Sequence, residues 1–309
     1  MYVFSFLNVT GVNKLLGPSE KAAILIEALP YIQEFFGKTV LIKLGGHAMN
    51  NSDLEKLVLQ DVVLMKLVGM NPVLVHGGGP DIDKWLSKLG YQSDFIQGMR
   101  VTDEETIEIV EMVLSGKLNK EIVGKINELG GNAVGISGKD GNLIQVRRKK
   151  VLSKEQTEKE TWLDLGLVGE IEKIDPGIIH ELTDKGYIPV ISPLGIGPEG
   201  KSYNINADHA AGALGGALHA HKLVMLTDVE GIYLGDGPET LVSKLTKNEV
   251  NNYLQNGVIK EGMIPKVESC LLALECGVTN VHIIDGRKPH ALLLEIFTHK
   301  GIGTMIVKE

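Results

Sequence analysis

Five short runs combine cations, carboxylates, amides and glycines in patterns suited to phosphate and carboxylate. The first is Lys43-Leu44-Gly45-Gly46 at the end of an apolar run. A lysine at the end of a strand, beside glycines whose N–H groups no Cβ obstructs, can grip a polyphosphate. Alone, it reads more simply as an exposed charge before a turn. The second is His76-Gly77-Gly78-Gly79-Pro80, where backbone amides and a helix N-terminus can face an anion. His76 itself is read as structural or as a donor that orients the loop. In Gly98-Met99-Arg100-Val101-Thr102, the arginine can clamp a carboxylate bidentately or make a structural salt bridge. Asn204-Ile205-Asn206-Ala207-Asp208 either holds substrate polar groups and orients lysines or simply caps a helix. The fifth joins Thr227-Asp228-Val229-Glu230-Gly231-Ile232-Tyr233 to Gly262-Met263-Ile264-Pro265-Lys266. There Asp228 suits a nucleotide, and Lys266 supplies a second cation for its phosphates. The shared chemistry is phosphoryl transfer, which needs positive charge and N–H donors around the moving group more than covalent catalysis.

The elements that must position these runs alternate between short β-rich stretches and longer helical ones, as in βαβ units around a mostly parallel sheet. Strands are predicted at Thr39–Leu44, Pro72–Val75, Ala133–Ile136, Ile188–Ser192, Leu223–Thr227 and Val281–Ile284. Helices are predicted at Leu54–Leu67 behind a Ser52-Asp53 cap, at Glu104–Leu114 behind a Thr102 capping box, and at Ala207–Leu218. Asn142–Leu152 and Val168–Ile174 read as appended antiparallel strands, Ser153–Thr161 as a surface loop, and Leu194–Lys201 as a lobe boundary. Ahead of the first strand, Ser19–Phe36 reads as an amphipathic helix capped by Ser19, stopped by Gly37 and interrupted by Pro30. In isolation it is a helix packed on its own domain. Met1–Gly17 is an extension of unassigned role, lacking the basic region and cleavage site of a secretory signal.

With 309 residues, the chain is long enough for two domains or one large α/β unit. A net charge of −8 argues against nucleic acid as the main partner and does not point to anionic membranes. The two cysteines, Cys270 and Cys276, form no CxxC pair, so neither a disulfide scaffold nor a zinc ribbon is supported, and a reducing, cytoplasmic setting fits. The 37 glycines are in excess and gather in clusters that let backbone approach a ligand. The GGGP spacing fails the dinucleotide fingerprint GxGxxG, and neither that oxidoreductase pattern nor a P-loop is expected.

In this order, KLGG, VHGGGP, GMRVT, NINAD, TDVEG and GMIPKV resemble the amino acid kinase family over nearly the whole chain from about Ser19. The resemblance implies an α/β fold, a three-layer αβα sandwich with a mostly parallel central sheet. Residues 1–37 would be an N-terminal extension and kinked helix, 38–195 an acceptor-binding and dimerisation lobe, and 196–309 an ATP lobe with a C-terminal regulatory segment. Closest are the members of arginine biosynthesis, which implies transfer of the ATP γ-phosphoryl group to the γ-carboxylate of N-acetyl-L-glutamate. By the same resemblance, Lys43 and Lys266 stabilise the transferring group, Asp208 holds both lysines, and Gly45, Gly46 and Gly78 bind phosphoryl oxygens. Gly78, Gly79, Arg100 and Asn204 meet the substrate. Asp228, Gly231, Tyr233 and Ile259 line the nucleotide site, with Mg2+ bound through ATP and no protein metal cage.

Arginine-inhibited members interlace kinked N-terminal helices into a hexamer, a trimer of dimers. Here the resemblance implies an L-arginine site of Tyr31, Lys222, His282, Glu295 and Gly301. The run Asp285-Gly286-Arg287 is assigned to that regulatory half. A PII-type partner occurs for some relatives and stays unassigned. The alternatives are a sister aminoadipate-type kinase of lysine biosynthesis and a non-catalytic arginine or ATP sensor.

Overall fold

The apolar runs fold as strands. In the computed structural model, which describes residues 17–45, 51–152, 162–235, 237–259, 263–298 and 301–309, they lie mostly side by side. In chain order the first strands are β1 (Thr39–Leu44), β2 (Asn71–His76), β3 (Phe95–Ile96), β4 (Met99–Arg100), β5 (Ala133–Ser137), β6 (Ile144–Leu152), β7 (Trp162–Ile174) and β8 (Ile188–Ser192). There follow β9 (Leu194–Ile196), β10 (Ser202–Asn204), β11 (Lys222–Thr227), β12 (Ile232–Tyr233), β13 (Leu241–Val242), β14 (Lys244–Thr246), β15 (Asn280–Asp285) and β16 (Thr304–Val307). Eight of them form one sheet in the order β14-β16-β15-β11-β1-β2-β8-β5. It is parallel from β15 to β5, while β16 runs antiparallel to β15.

The helices are α1 (Pro18–Phe35), α2 (Ser52–Leu67), α3 (Gly79–Lys88), α4 (Glu104–Glu111), α5 (Asn119–Glu128), α6 (Gly177–Asp184), α7 (Ala207–Ala217), α8 (Lys247–Gln255), α9 (Ile264–Glu275) and α10 (Ala291–Ile296). Strand alternation distributes side chains to both faces. Leu41, Val73 and Met225 join the core that includes Ala210, Leu214, Cys270 and Leu274 of α7 and α9. Val40, Ile42, Leu74 and Val224 join Val58, Val62, Ile126 and Leu292 of α2, α5 and α10. The sheet is therefore covered on both sides, and its strands read as continuous apolar runs. This is the expected three-layer sandwich.

The appended strands also form. β6 and β7 pair antiparallel, and β9 and β10 close them into a four-stranded unit. The expected loop Ser153–Thr161 and most of the N-terminal extension lie outside the described residues. Leu194–Lys201 is a hairpin segment of that unit, and β1 and β11, from the two halves of the chain, pair directly in the main sheet.

The same hairpin corrects the glycine reading. Gly195-Ile196-Gly197-Pro198-Glu199-Gly200-Lys201-Ser202 matches both GxGxxG and GxxxxGKS as strings, contrary to expectation. Either motif needs a strand, a turn and then a helix. Here β9 turns into the antiparallel strand β10, and Lys201 Nζ pairs with Glu104 at 2.7 Å, so neither is built.

Three caps also differ. Asn51 caps α2, accepting from Asp53 N and Leu54 N, and Asp103 caps α4, accepting from Thr106 N. The Thr102 hydroxyl instead donates to Arg100 O. At α1, Glu20 accepts from Gly17 N, so Ser19 lies inside the helix, which continues through Pro30. Among the described residues, no helix is long and apolar enough to cross a membrane.

His76 closes β2 with no exposed surface, Nδ1 2.8 Å from Gly77 O and Nε2 3.3 Å from Asn119 Nδ2. Nδ1–H must donate to the carbonyl and Nε2 accept from the amide, so the neutral ring orients the glycine loop. Burial pushes its pKa from 6.5 down to about 4. Between those values the unfolded chain takes up a proton that the folded one refuses, so His76's contribution is present above pH 6.5 and lost toward pH 4. Chemical denaturation of wild type and His76→Gln across that range will show their stability difference shrinking by about 3 kcal/mol on acidification. A difference independent of pH contradicts the assignment.

Candidate active site

Parallel neighbours present their C-terminal ends at one edge, so the turns after β1, β2 and β11 meet there. Leu44 is level with His76, and Gly77 N donates to Leu44 O at 3.0 Å, tying the first two turns together. Into this edge points the first turn of α7, whose cap Asn206 accepts from Asp208 N and His209 N. Asp208 Oδ1 lies 2.7 Å from Lys43 Nζ, with the side chains 12% and 10% exposed. Among the described residues, no aligned hydrogen-bond donor reaches that oxygen, and the contact is an ion pair. The fourth run is thus both cap and charge holder: Asn206 does the first, Asp208 the second.

Two glycines stand where neighbouring side chains approach closely. A Cβ on Gly45 would run into the Lys43 ammonium, and one on Gly78 would sit 2.5 Å from Leu114 Cδ2 and 2.6 Å from Leu118 Cδ1. Those leucines belong to a π-helical turn, Met112–Leu118, that presses against the loop. Gly46 lies outside the described residues.

Beside the grip, Gly78, Gly79, Arg100 and Asn204 line one cavity, as the sequence reading grouped them. Arg100, on β4, has its side chain only 5% exposed, and Asn204 donates to Thr102 Oγ1 at 3.4 Å. Sequence reading missed Asp83, whose Oδ1 is 2.6 Å from Arg100 Nη1. Burial raises the Asp83 carboxyl's pKa, but hydrogen bonds from Arg100 and Ser93 outweigh this and hold it below the usual range. Its place in α3, four residues after Gly79, was the available signal.

On the other side of β1, Gly231, Tyr233 and Ile259 line a larger, mainly apolar cavity with Val229, Val258 and Met263, suited to a flat heterocycle. Tyr233 donates to Glu230 Oε2 at 2.6 Å, and Glu230 pairs with Lys288 at 2.7 Å. Asp228 is not among the lining residues; it follows the end of β11, where its charge reaches Arg287. Lys266 stands in the first turn of α9. Four residues on, the Cys270 thiol is pushed up by burial and then by Asp208, and pulled down by Lys266, which places both charges near one point. Gly262 lies outside the described residues. Asp285-Gly286-Arg287 sits beside the Asp228 turn, since Thr227 is level with Asp285 and Gly286 N donates to Thr227 O. It therefore belongs to this edge and not to the regulatory side.

All five residues expected for a regulatory site line a separate cavity with Phe35 and Ile302. At its centre the Glu295 carboxylate meets Lys222 Nζ at 3.2 Å, His282 Nδ1 at 2.6 Å and Ile302 N at 2.9 Å. Burial raises the Glu295 pKa, yet His282 and Lys222 hold it below the usual range. Among the described residues, no hydrogen-bond partner reaches the buried His282 Nε2.

A lysine–carboxylate pair, a cavity lined by Arg100 and Asn204 and a larger apolar cavity thus lie along one sheet edge, the arrangement a small-molecule kinase needs. Residues 38–285 match the model of the amino acid kinase family. The chain belongs to the amino acid kinase family. It is 60% identical over 293 residues to the acetylglutamate kinase of Moorella thermoacetica, covering 94% of this chain and 99% of that protein. Its identity to the acetylglutamate kinase of Methanocaldococcus jannaschii is 54%, over 94% of this chain and 97% of that one. Among solved structures, N-acetylglutamate synthase of Neisseria gonorrhoeae with coenzyme A and L-arginine superposes with a TM-score of 0.76 at 28% identity. The match covers 93% of this chain and 65% of the longer synthase. Carbamate kinase of Giardia lamblia bound to AMP-PNP shares the fold, at a TM-score of 0.62 and 18% identity over 88% of this chain and 99% of that one.

The Gly45 contact predicts a clean perturbation. In Gly45→Ala the methyl displaces the flexible end of Lys43, so melting temperature stays within a few degrees while turnover falls roughly 100-fold. Undiminished turnover contradicts the need for Lys43 at this position.

Proposed function

We propose that the chain transfers the γ-phosphoryl group of ATP to the γ-carboxylate of N-acetyl-L-glutamate, the acetylglutamate kinase reaction and second step of arginine biosynthesis. The supporting observation is that the Lys43–Asp208 pair and the Arg100–Asn204 cavity meet at one sheet edge, in a chain so close to named acetylglutamate kinases. A carboxylate oxygen attacks Pγ, the bond to the β–γ bridging oxygen breaks, and its electron pair leaves with ADP. No proton need be removed, because a carboxylate of pKa about 4 is already ionised at neutral pH. The difficulty is repulsion between two anions, which Lys43 from the acceptor side and Lys266 from the nucleotide side offset. Amides of Gly45 and Gly78 complete the cradle, with Gly46 assigned to it by the family resemblance alone. Arg100 and Asn204 hold the substrate carboxylate against the Gly78-Gly79 backbone.

Residues 38–195 form the acceptor lobe in this reading and 196–309 the ATP lobe, with Asp228, Gly231, Tyr233 and Ile259 around the nucleotide. When bound through the nucleotide, Mg2+ would supply charge neutralisation at the phosphates. Asp208 is engaged by Lys43, so in this reading phosphate oxygens would hold the ion.

The second cavity is read as an L-arginine site, with Glu295 as the carboxylate for the cationic effector. The apolar side chains of Ile24, Leu25, Ile26 and Leu29 stand exposed on α1, which supports helix interlacing into a hexamer.

With ATP, Mg2+ and acetylglutamate, hydroxylamine will trap the acyl phosphate as a hydroxamate, and Lys266→Ala will lower that signal at least 100-fold with the fold intact. Hydroxamate formed with aminoadipate-type acceptors alone moves the chain to the sister kinase. Added arginine will inhibit wild type sigmoidally, and Glu295→Gln will weaken the inhibition about tenfold or more. Wild-type activity indifferent to millimolar arginine removes the regulatory half alone.

A further inference from the structure

Arg100 is held before any substrate arrives. Its Nη1 meets Asp83 Oδ1 at 2.6 Å and also contacts Ser93 Oγ, which itself donates to Asp83 Oδ1 at 2.7 Å. Nη2 reaches toward Gly79 O at 3.4 Å, and the guanidinium carbon lies 4.7 Å from the centre of the Phe95 ring. Supports from α3, the segment after it and β3 thus converge on one planar head that also lines the acceptor cavity. Asp83 stands outside that lining, and its side chain is 46% exposed.

A free arginine side chain has much rotamer entropy to lose, and a clamp fixed in advance avoids losing it on binding. A neighbouring carboxylate also has an opposite influence, since its charge repels an anionic substrate. Geometry decides between the two. Asp83 and Ser93 engage one amino group together, which orients the plane while leaving other N–H donors of the fork for a second carboxylate.

We propose that Asp83, supported by Ser93, is a positioning residue that fixes the Arg100 guanidinium for the carboxylate of the acceptor and so sets acceptor affinity without taking part in phosphoryl transfer. This rests on the reading of Arg100 as the acceptor's carboxylate clamp.

Steady-state kinetics of Asp83→Ala, Asp83→Asn and Arg100→Ala test it, with acetylglutamate and ATP varied separately. In Asp83→Ala, KM for acetylglutamate rises about tenfold, as for loss of one charge-assisted hydrogen bond, while kcat and KM for ATP change less than about threefold. Asp83→Asn keeps an acceptor oxygen for Arg100 and recovers most of the loss. An unchanged or lowered acetylglutamate KM in Asp83→Ala, beside a raised one in Arg100→Ala, overturns the positioning role alone. A wild-type KM in Arg100→Ala overturns the clamp and the positioning role with it. Equal effects of Asp83→Ala on both substrates also overturn the proposal, because they mark a general structural defect.

Discussion

The Lys43–Asp208 ion pair is the constraint around which the rest of the molecule is arranged. Two anions cannot be brought into line without positive charge already waiting, and a nearly buried ammonium cannot wait without a carboxylate beside it. The two residues stand 165 positions apart, on β1 and α7. What joins them is the sheet, since β1 lies between β2 and β11 and α7 packs across that region. Removing one partner from such a pair typically costs 3–5 kcal/mol, roughly the scale of a domain's whole margin of stability. In the proposed reaction, catalytic preparation and folding are thus tied together.

Glycine follows from the same constraint. If charge must be concentrated in a small space, backbone is the smallest donor available, and any Cβ competes with the groups being gathered. Gly45 leaves room for the Lys43 ammonium, and Gly78 leaves room for Leu114 and Leu118. The π-helical turn that carries those leucines sets the depth of the loop from behind, and neutral His76 sets its orientation from below. The cavity lined by Arg100 obeys similar logic, with Asp83 pairing with Arg100 as Asp208 pairs with Lys43.

The second cavity shows how far such organisation extends from the chemistry. α10 carries Glu295 and is reached from α2 through Asp61, whose buried carboxyl meets His290 Nδ1 at 2.6 Å. Burial raises the Asp61 pKa to about 6 despite that partner. Since α2 follows the Lys43–Gly45 turn in the chain, the helix after that turn also packs against the helix that carries Glu295.

Sequence alone determined the strands and the motifs at their ends, because apolar runs and glycine turns are local signals. It determined the grouping of Gly78, Gly79, Arg100 and Asn204 only through family resemblance. It misjudged the caps of α1, α2 and α4 by one or two positions, since Ser, Thr, Asp, Asn and Gly compete at adjacent sites and the local geometry selects one. Composition could not reveal that GIGPEGKS is a hairpin, because a phosphate loop is defined by the helix that follows and here a strand follows. Nor could it pair Arg100 with Asp83, or set Asp285-Gly286-Arg287 beside the Asp228 turn. Those are contacts between segments whose separation in the chain says nothing of their distance in space. Parallel pairing of β11 with β15 decided the second, and the approach of the antiparallel β3–β4 hairpin to α3 decided the first.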